Sequence, residues 1–250
     1  ESAELSERLV ERYGLTGATV EVTLDGESPL DAAATALARR LEHTVANGSV
    51  TIAAGWGRTL GTAAQLTRGM HTSGVTIVDA FGHTTTNEIA NSVEVSNTLG
   101  QKFGAKVMHI PSPGFAPSAA VAENFYETEP VATTLDLARS ADLVMVAVGV
   151  VGSGSLLVSA GYLDASTMDE VTAAGAVGEI FGRYFDASGT PVMPDALHPI
   201  SLTLDDLRAC KRVVAAVGGA EKAAAVRGAL ATGIINELAA DDTLARALLD

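Results

Sequence analysis

Two cations in this sequence stand where they could hold an anion: Arg58 and Lys222, each following two glycines at the end of an apolar run. In Ser49-Val-Thr-Ile-Ala-Ala-Gly-Trp-Gly-Arg-Thr-Leu60 the order of residue types reads as strand, loop, helix. Gly55 and Gly57 lack a Cβ, so backbone N–H groups can close on a ligand there. The first turn of the helix and the Arg58 guanidinium both favour negative charge, and a phosphate is the natural occupant. The plain alternative is a tight turn with Arg58 facing solvent. Lys222 follows Gly218-Gly219 in the first turn of a helical stretch over 220–231. A cation there opposes the helix dipole unless an anion lies between.

Other side chains could complete such a site. Glu179 follows Gly178 in an apolar setting, where burying a carboxylate requires partners. Asp186 opens Asp-Ala-Ser-Gly189, and a turn aspartate commonly bonds its own backbone, so a structural role fits at least as well. His83 and Asn87 lie close behind Gly82, on the same expected edge, and could hydrogen-bond a hydroxyl; Asn87 and Glu88 could equally be caps. Ser153 and Ser155 lie in a glycine-rich loop after Gly149 without a nucleophile-elbow context, which favours ligand contact over nucleophilic catalysis. The histidines show no metal-ligand spacing and Cys210 is the single cysteine, so neither a metal nor a cofactor is expected.

Composition narrows the class. The 250 residues are 47% hydrophobic, enough for a full core, and 30 acidic against 16 basic residues give a formal net charge of −14. Such a stretch should repel nucleic acid, since phosphate-backbone binding needs clustered cations. One cysteine precludes an intrachain disulfide and suits the cytoplasm. The longest apolar run, 143–151, is too short to span a bilayer, so no membrane partner is expected. The sequence begins at Glu1 within a helix-like pattern, which reads as residues 1–14 being a linker helix and 15–250 a ligand-binding domain.

Strands are expected at 18–22, 50–54, 75–78, 105–110, 142–149, 212–217 and around 234–235. Helices are expected at 2–13, 29–45, 59–70, 87–103, 129–139, 167–174, 220–231 and after Asp241 or Asp242, with turns at 175–180 and 186–189. Alternation of this kind predicts an α/β fold of three layers, a mostly parallel sheet with helices on both faces. Ligands of such folds bind beyond the carboxyl ends of the strands, where the turns at Gly55, Gly82, Gly149 and Gly218 would converge.

The ordered motifs Gly-Trp-Gly-Arg-Thr59, the Gly149 loop, Gly-Ala-Val-Gly-Glu-Ile180, Phe-Asp-Ala-Ser-Gly189, Gly-Gly-Ala-Glu-Lys222 and Asp241-Asp242 resemble the effector-binding domain of SorC/DeoR-type bacterial transcriptional regulators. The resemblance implies a fold similar to the sugar-phosphate isomerases and CoA transferases. It further implies a sugar phosphate or polyol as effector, and operator DNA bound only through an N-terminal helix-turn-helix domain absent from this stretch. Operator symmetry would call for a dimer or tetramer. Carried over, Gly55, Trp56, Gly57, Arg58 and Thr59 match the phosphate loop, Gly218, Gly219 and Lys222 a second turn of the same site, and Glu179 and Asp186 the carboxylates. Glu179 stands where aspartate is more common, His83 where a second glycine is common, and Trp56 is a large ring within the phosphate loop.

Two functions compete. A regulatory module would bind the effector without turnover. A sugar-phosphate isomerase- or deaminase-like enzyme would need a positioned acid and base, which Glu179 with Asp186 or Lys222 could supply.

Overall fold

In the computed structural model, which describes residues 1–84 and 91–250, seven strands form a fully parallel sheet. They are β1 (Gly17–Glu21), β2 (Val50–Ala54), β3 (Val75–Asp79), β4 (Lys106–Met108), β5 (Leu143–Val146), β6 (Val213–Val217) and β7 (Glu237–Asp241). Their order across the sheet is β1-β7-β6-β5-β2-β3-β4. Small and β-branched residues let the central strands be covered on both sides, as in the fully buried Val-Val-Ala-Ala-Val of β6. Ile52, Ala54, Leu143 and Met145 pack beneath the helices Pro29–Ala46, Arg58–Leu66 and Ser92–Phe103, while Ala53, Val144 and Val146 enter the core on the other face.

The chain runs outward from β2 through β3 to β4, then returns to β5 and continues through β6 to β7 on the other side. Neighbours β2 and β5 therefore mark where the strand order reverses, and the crevice beyond their carboxyl ends is the favoured ligand position in an open α/β sheet. A four-stranded antiparallel sheet begins at this rim with Gly149–Val150, just after β5, and continues in the order Ala176–Ile180, Arg183–Asp186, Pro191–Val192.

Local signals explain several boundaries. The helix Pro29–Ala46 starts with a capping box between Ser28 and Asp31, and Thr203 with Asp206 forms another. The helix Ser2–Tyr13 buries Leu5 and Leu9, and the Tyr13 hydroxyl donates to the Leu248 carbonyl at 2.7 Å, so this segment is packed against the helix Asp242–Leu249.

Three expectations are corrected. The last strand is Glu237–Asp241 rather than 234–235, and 176–180 is a strand rather than a turn. The helix expected from Asn87 begins at Ser92 with Asn91 as its cap, and Asn87 and Glu88 lie outside the described residues.

Candidate functional site

The loops after β2, β5 and β6, three adjacent strands, meet at one cavity. Trp56, Gly57, Arg58 and Thr59 come from the first loop, Ala147 to Val150 from the second, and Lys222 from the third; Glu179 and Phe181 join from the antiparallel sheet. The cavity is compact, about 70 Å3. Gly57 has φ 132°, a conformation that a side chain would strain, and it begins the helix Arg58–Leu66 with no side-chain cap. The first turn of that helix therefore has uncapped N–H groups, and its residues Gly57, Arg58 and Thr59 line the cavity, the arrangement an anion site uses. Trp56 is 5% exposed and its ring stacks on Phe81 at 5.3 Å, so the indole is held as a wall.

Two basic side chains and one carboxyl line the cavity, and their surroundings shift them differently. Burial and the neighbouring Arg58 guanidinium lower the pKa of Lys222, outweighing Glu221 and Asp241. Two cations thus face one concave space with their repulsion only partly offset by Glu221 and Asp241, and an anion between them would lower that cost. Glu179 is different: burial pushes its pKa up to about 7, and the Gly182 N–H donated to its Oε2 at 2.7 Å only partly counteracts this. Near neutrality its carboxyl therefore occurs in both forms, able to donate or accept a hydrogen bond to a hydroxyl. Gly149 is directly opposite Glu179 in the antiparallel pairing, and a Cβ there would collide with Glu179 Oε1.

Of the residues singled out from sequence, Trp56, Gly57, Arg58, Thr59, Gly149, Glu179 and Lys222 line this cavity. Others are placed elsewhere by their own bonds. The Gly55 N–H, expected to close on a ligand, is donated to the Met145 carbonyl at 3.0 Å, and that of Gly82 to Ile200 at 2.8 Å. Gly218 backs directly onto the Pro29 carbonyl, and the Gly219 N–H is donated to Asp241 Oδ1 at 2.9 Å. His83 is exposed and lines a separate surface cavity with His109 and Pro111. Asp186 accepts from the Ser188 and Thr190 N–H groups at 2.8 and 2.9 Å, which makes it the organiser of an outward turn rather than a cavity wall. Ser155 is buried, while its neighbours Gly154 and Leu156 reach the cavity.

Phe181 is the contributor that sequence reasoning missed. With Gly182 it forms the two-residue turn joining Ala176–Ile180 to Arg183–Asp186, both residues having positive φ, 56° and 73°. A left-handed phenylalanine costs about 1–3 kcal/mol, and such strain gathers at functional sites. The ring contacts Phe81 at 5.9 Å and would be struck by a Cβ on Gly55, so it both lines the cavity and explains that glycine. The Phe-Gly pair after Glu179 was the available signal, but it does not disclose which way the ring turns.

Comparison with known proteins bears on this arrangement. Residues 1–250 match the family model described as "Putative sugar-binding domain". The erythritol catabolism regulatory protein EryD of Brucella abortus is 30% identical over 253 residues, covering 100% of this chain and 79% of that protein. Other curated regulators are spanned for smaller shares of their length, 64% and 48% in two cases. Among solved structures, the sugar-binding domain of a transcriptional repressor from Vibrio fischeri superposes with a TM-score of 0.87 at 27% identity, covering 99% of this chain and 98% of that one. The full-length sorbitol operon regulator SorC from Klebsiella pneumoniae superposes with a TM-score of 0.89 at 20% identity, over 100% of this chain and 82% of that one, a likeness of fold.

Proposed function

The chain belongs to the sugar-binding domain family of bacterial transcriptional regulators, and on that premise we propose that the cavity between β2 and β5 is its effector site. The anionic end of a phosphorylated sugar or polyol bridges Arg58, Lys222 and the free amides following Gly57, and Glu179 meets its hydroxyls. Erythritol, named for the Brucella relative, belongs to this class of polyol. Effector occupancy shifts the balance between two arrangements of a dimer or tetramer, which requires different affinity in each. Operator DNA is contacted by a separate helix-turn-helix domain. The observation that carries this reading is the convergence of Arg58 and Lys222, from two different strand-to-helix turns, on one cavity of a strongly acidic chain.

We take the site to bind without turnover. Proton shuttling would need a second acid or base beside Glu179: Asp186 is committed to its own turn, and Lys222, which shares the cavity, is assigned in this reading to the anionic end of the effector. Thermal shift against four- to six-carbon sugar phosphates, alditol phosphates and free polyols tests the reading, because a ligand of the folded state stabilises in proportion to its concentration over Kd. NMR of each stabilising compound left with the protein should show it unchanged. Conversion would replace the regulator reading with the enzyme one.

A further inference from the structure

A second cavity, about 690 Å3, opens at the opposite rim of the sheet, where β1, β2, β5 and β6 begin. Two guanidinium groups are built into its wall by one buried carboxylate. Glu237, with a side chain 5% exposed, accepts Arg40 Nε on Oε2 at 2.5 Å and Arg212 Nε on Oε1 at 2.6 Å, and Arg212 Nη2 also reaches Oε2 at 3.1 Å. Arg40 Nη1 is fixed by Thr19 Oγ1 at 3.1 Å, and a Cβ on Gly17 would collide with its Nη2. Neither guanidinium is free to swing away.

The charges do not balance. Burial works against ionising Glu237, but the hydrogen bonds from Arg212 and Arg40 outweigh it and hold its pKa below the usual glutamate value. One carboxylate therefore faces two permanent cations, a surplus of one positive charge. Asp142, on the same wall, also attracts Arg212, but it is shared with Lys211 at 3.5 Å, so counting both the wall still keeps a surplus of one positive charge. Arg212 Nη1 and Arg40 Nη2 spend no N–H on any described residue. Arg39, at the mouth of the cavity, adds a third cation whose partner is Glu21.

We propose that this cavity binds a small oxyanion, a phosphoryl or carboxyl group carried by a metabolite, clamped by the unspent N–H groups of Arg40 and Arg212. Guanidinium forks suit such groups because they bind them in a planar, two-pronged geometry, and forks already oriented by Glu237 lose little freedom on binding. The effector cavity and this one lie toward opposite ends of the helix Pro29–Ala46, which gives Leu30 to the first and Arg40 and Thr44 to the second. Their occupancies can therefore be measured apart.

The test begins with a chain carrying Arg58→Ala and Lys222→Met, which silences the effector cavity. Calorimetric titration with inorganic phosphate and with citrate at constant ionic strength should still show one saturable site, absent with chloride, and the preferred anion identifies the group. Adding Arg212→Gln should weaken that binding at least tenfold, while the same change in the otherwise native chain leaves the effector response unaltered. Because Arg212→Gln leaves Glu237 with a single partner, Arg39→Gln at the rim serves as a second variant, expected to weaken binding less. Crystals of the native chain soaked in selenate should show anomalous density within hydrogen-bond distance of Arg40 and Arg212. No saturable binding in the silenced chain, selenate elsewhere as an adventitious ion only, or a carboxylate of a neighbouring copy filling the cavity would each overturn the proposal.

Discussion

Lys222 and Arg58 reach the same cavity from turns 164 positions apart, and the Arg58 guanidinium raises the cost of charging Lys222. The fold itself thus holds the two cations in electrostatic tension. Replacing Lys222 with methionine should relieve it: the ligand-free protein becomes more stable to heat, while stabilisation by an anionic effector falls at least tenfold in concentration. Lower stability together with unchanged effector response would show Lys222 to be structural.

Glu179 carries the opposite signature. Its folded-state pKa of about 7 exceeds the value of 4.5 for an unperturbed glutamate, so the native state holds the proton longer than the unfolded chain. Stability should fall as pH rises from about 4.5 to 7, by at most about 3 kcal/mol, with the deficit fully present above that window. Glu179→Gln should flatten this part of the pH profile and be more stable than the native chain at pH 8. Urea denaturation at pH 4.5, 6 and 8 reads both; parallel profiles for the two proteins would contradict the assignment.

Gly149→Ala is expected to displace the Glu179 carboxyl, because the added methyl occupies the position of Oε1. Effector binding should weaken more than anion binding does, since the phosphate loop after β2 is untouched. Equal loss for a sugar phosphate and for inorganic phosphate would mean that the backbone, not the carboxyl, had moved.

The strand-turn-helix around Arg58 was legible because its signals are local: β-branched residues, then glycine, then a helical run. The convergence of β2, β5 and β6 followed from alternation and the parallel-sheet rule. β7 was misplaced because Glu237 breaks its apolar pattern; only Arg40 and Arg212, distant in sequence, make a carboxylate tolerable at a buried strand start. Gly55, Gly82 and Gly218 looked like ligand turns, yet their missing side chains answer to Met145, Pro113 and Pro29, contacts that no local pattern records. Phe181 was hidden for the same reason, its left-handed backbone being imposed by the hairpin and the surrounding rings.

A second pH effect belongs to the far side of β3. Asp79, fully buried, accepts Ser96 Oγ at 2.5 Å, His109 Nδ1 at 3.0 Å and the Ile110 N–H at 3.1 Å. The hydrogen bond to Asp79 raises the His109 pKa, against the opposing effect of burial. The imidazolium's contribution is complete below the unperturbed value of 6.5 and is lost as pH rises through the raised one. His109→Gln should remove that decline while leaving the lower window of Glu179 intact, and Asp79→Ala should destabilise at every pH because it orphans two buried donors, the Ser96 hydroxyl and the Ile110 N–H. Denaturation profiles from pH 5 to 9 distinguish the two histidine states; an unaltered slope in His109→Gln would refute the coupling.

Trp56, the single tryptophan, lines the cavity proposed to take the effector, so its fluorescence should report occupancy there. Fluorescence titration with a series of sugar and alditol phosphates is the most direct test of the central claim. The account predicts a saturable change for at least one compound, with affinity reduced tenfold or more, about 1.4 kcal/mol, by Arg58→Ala. Saturable binding that neither Arg58→Ala nor Lys222→Met weakens would contradict it.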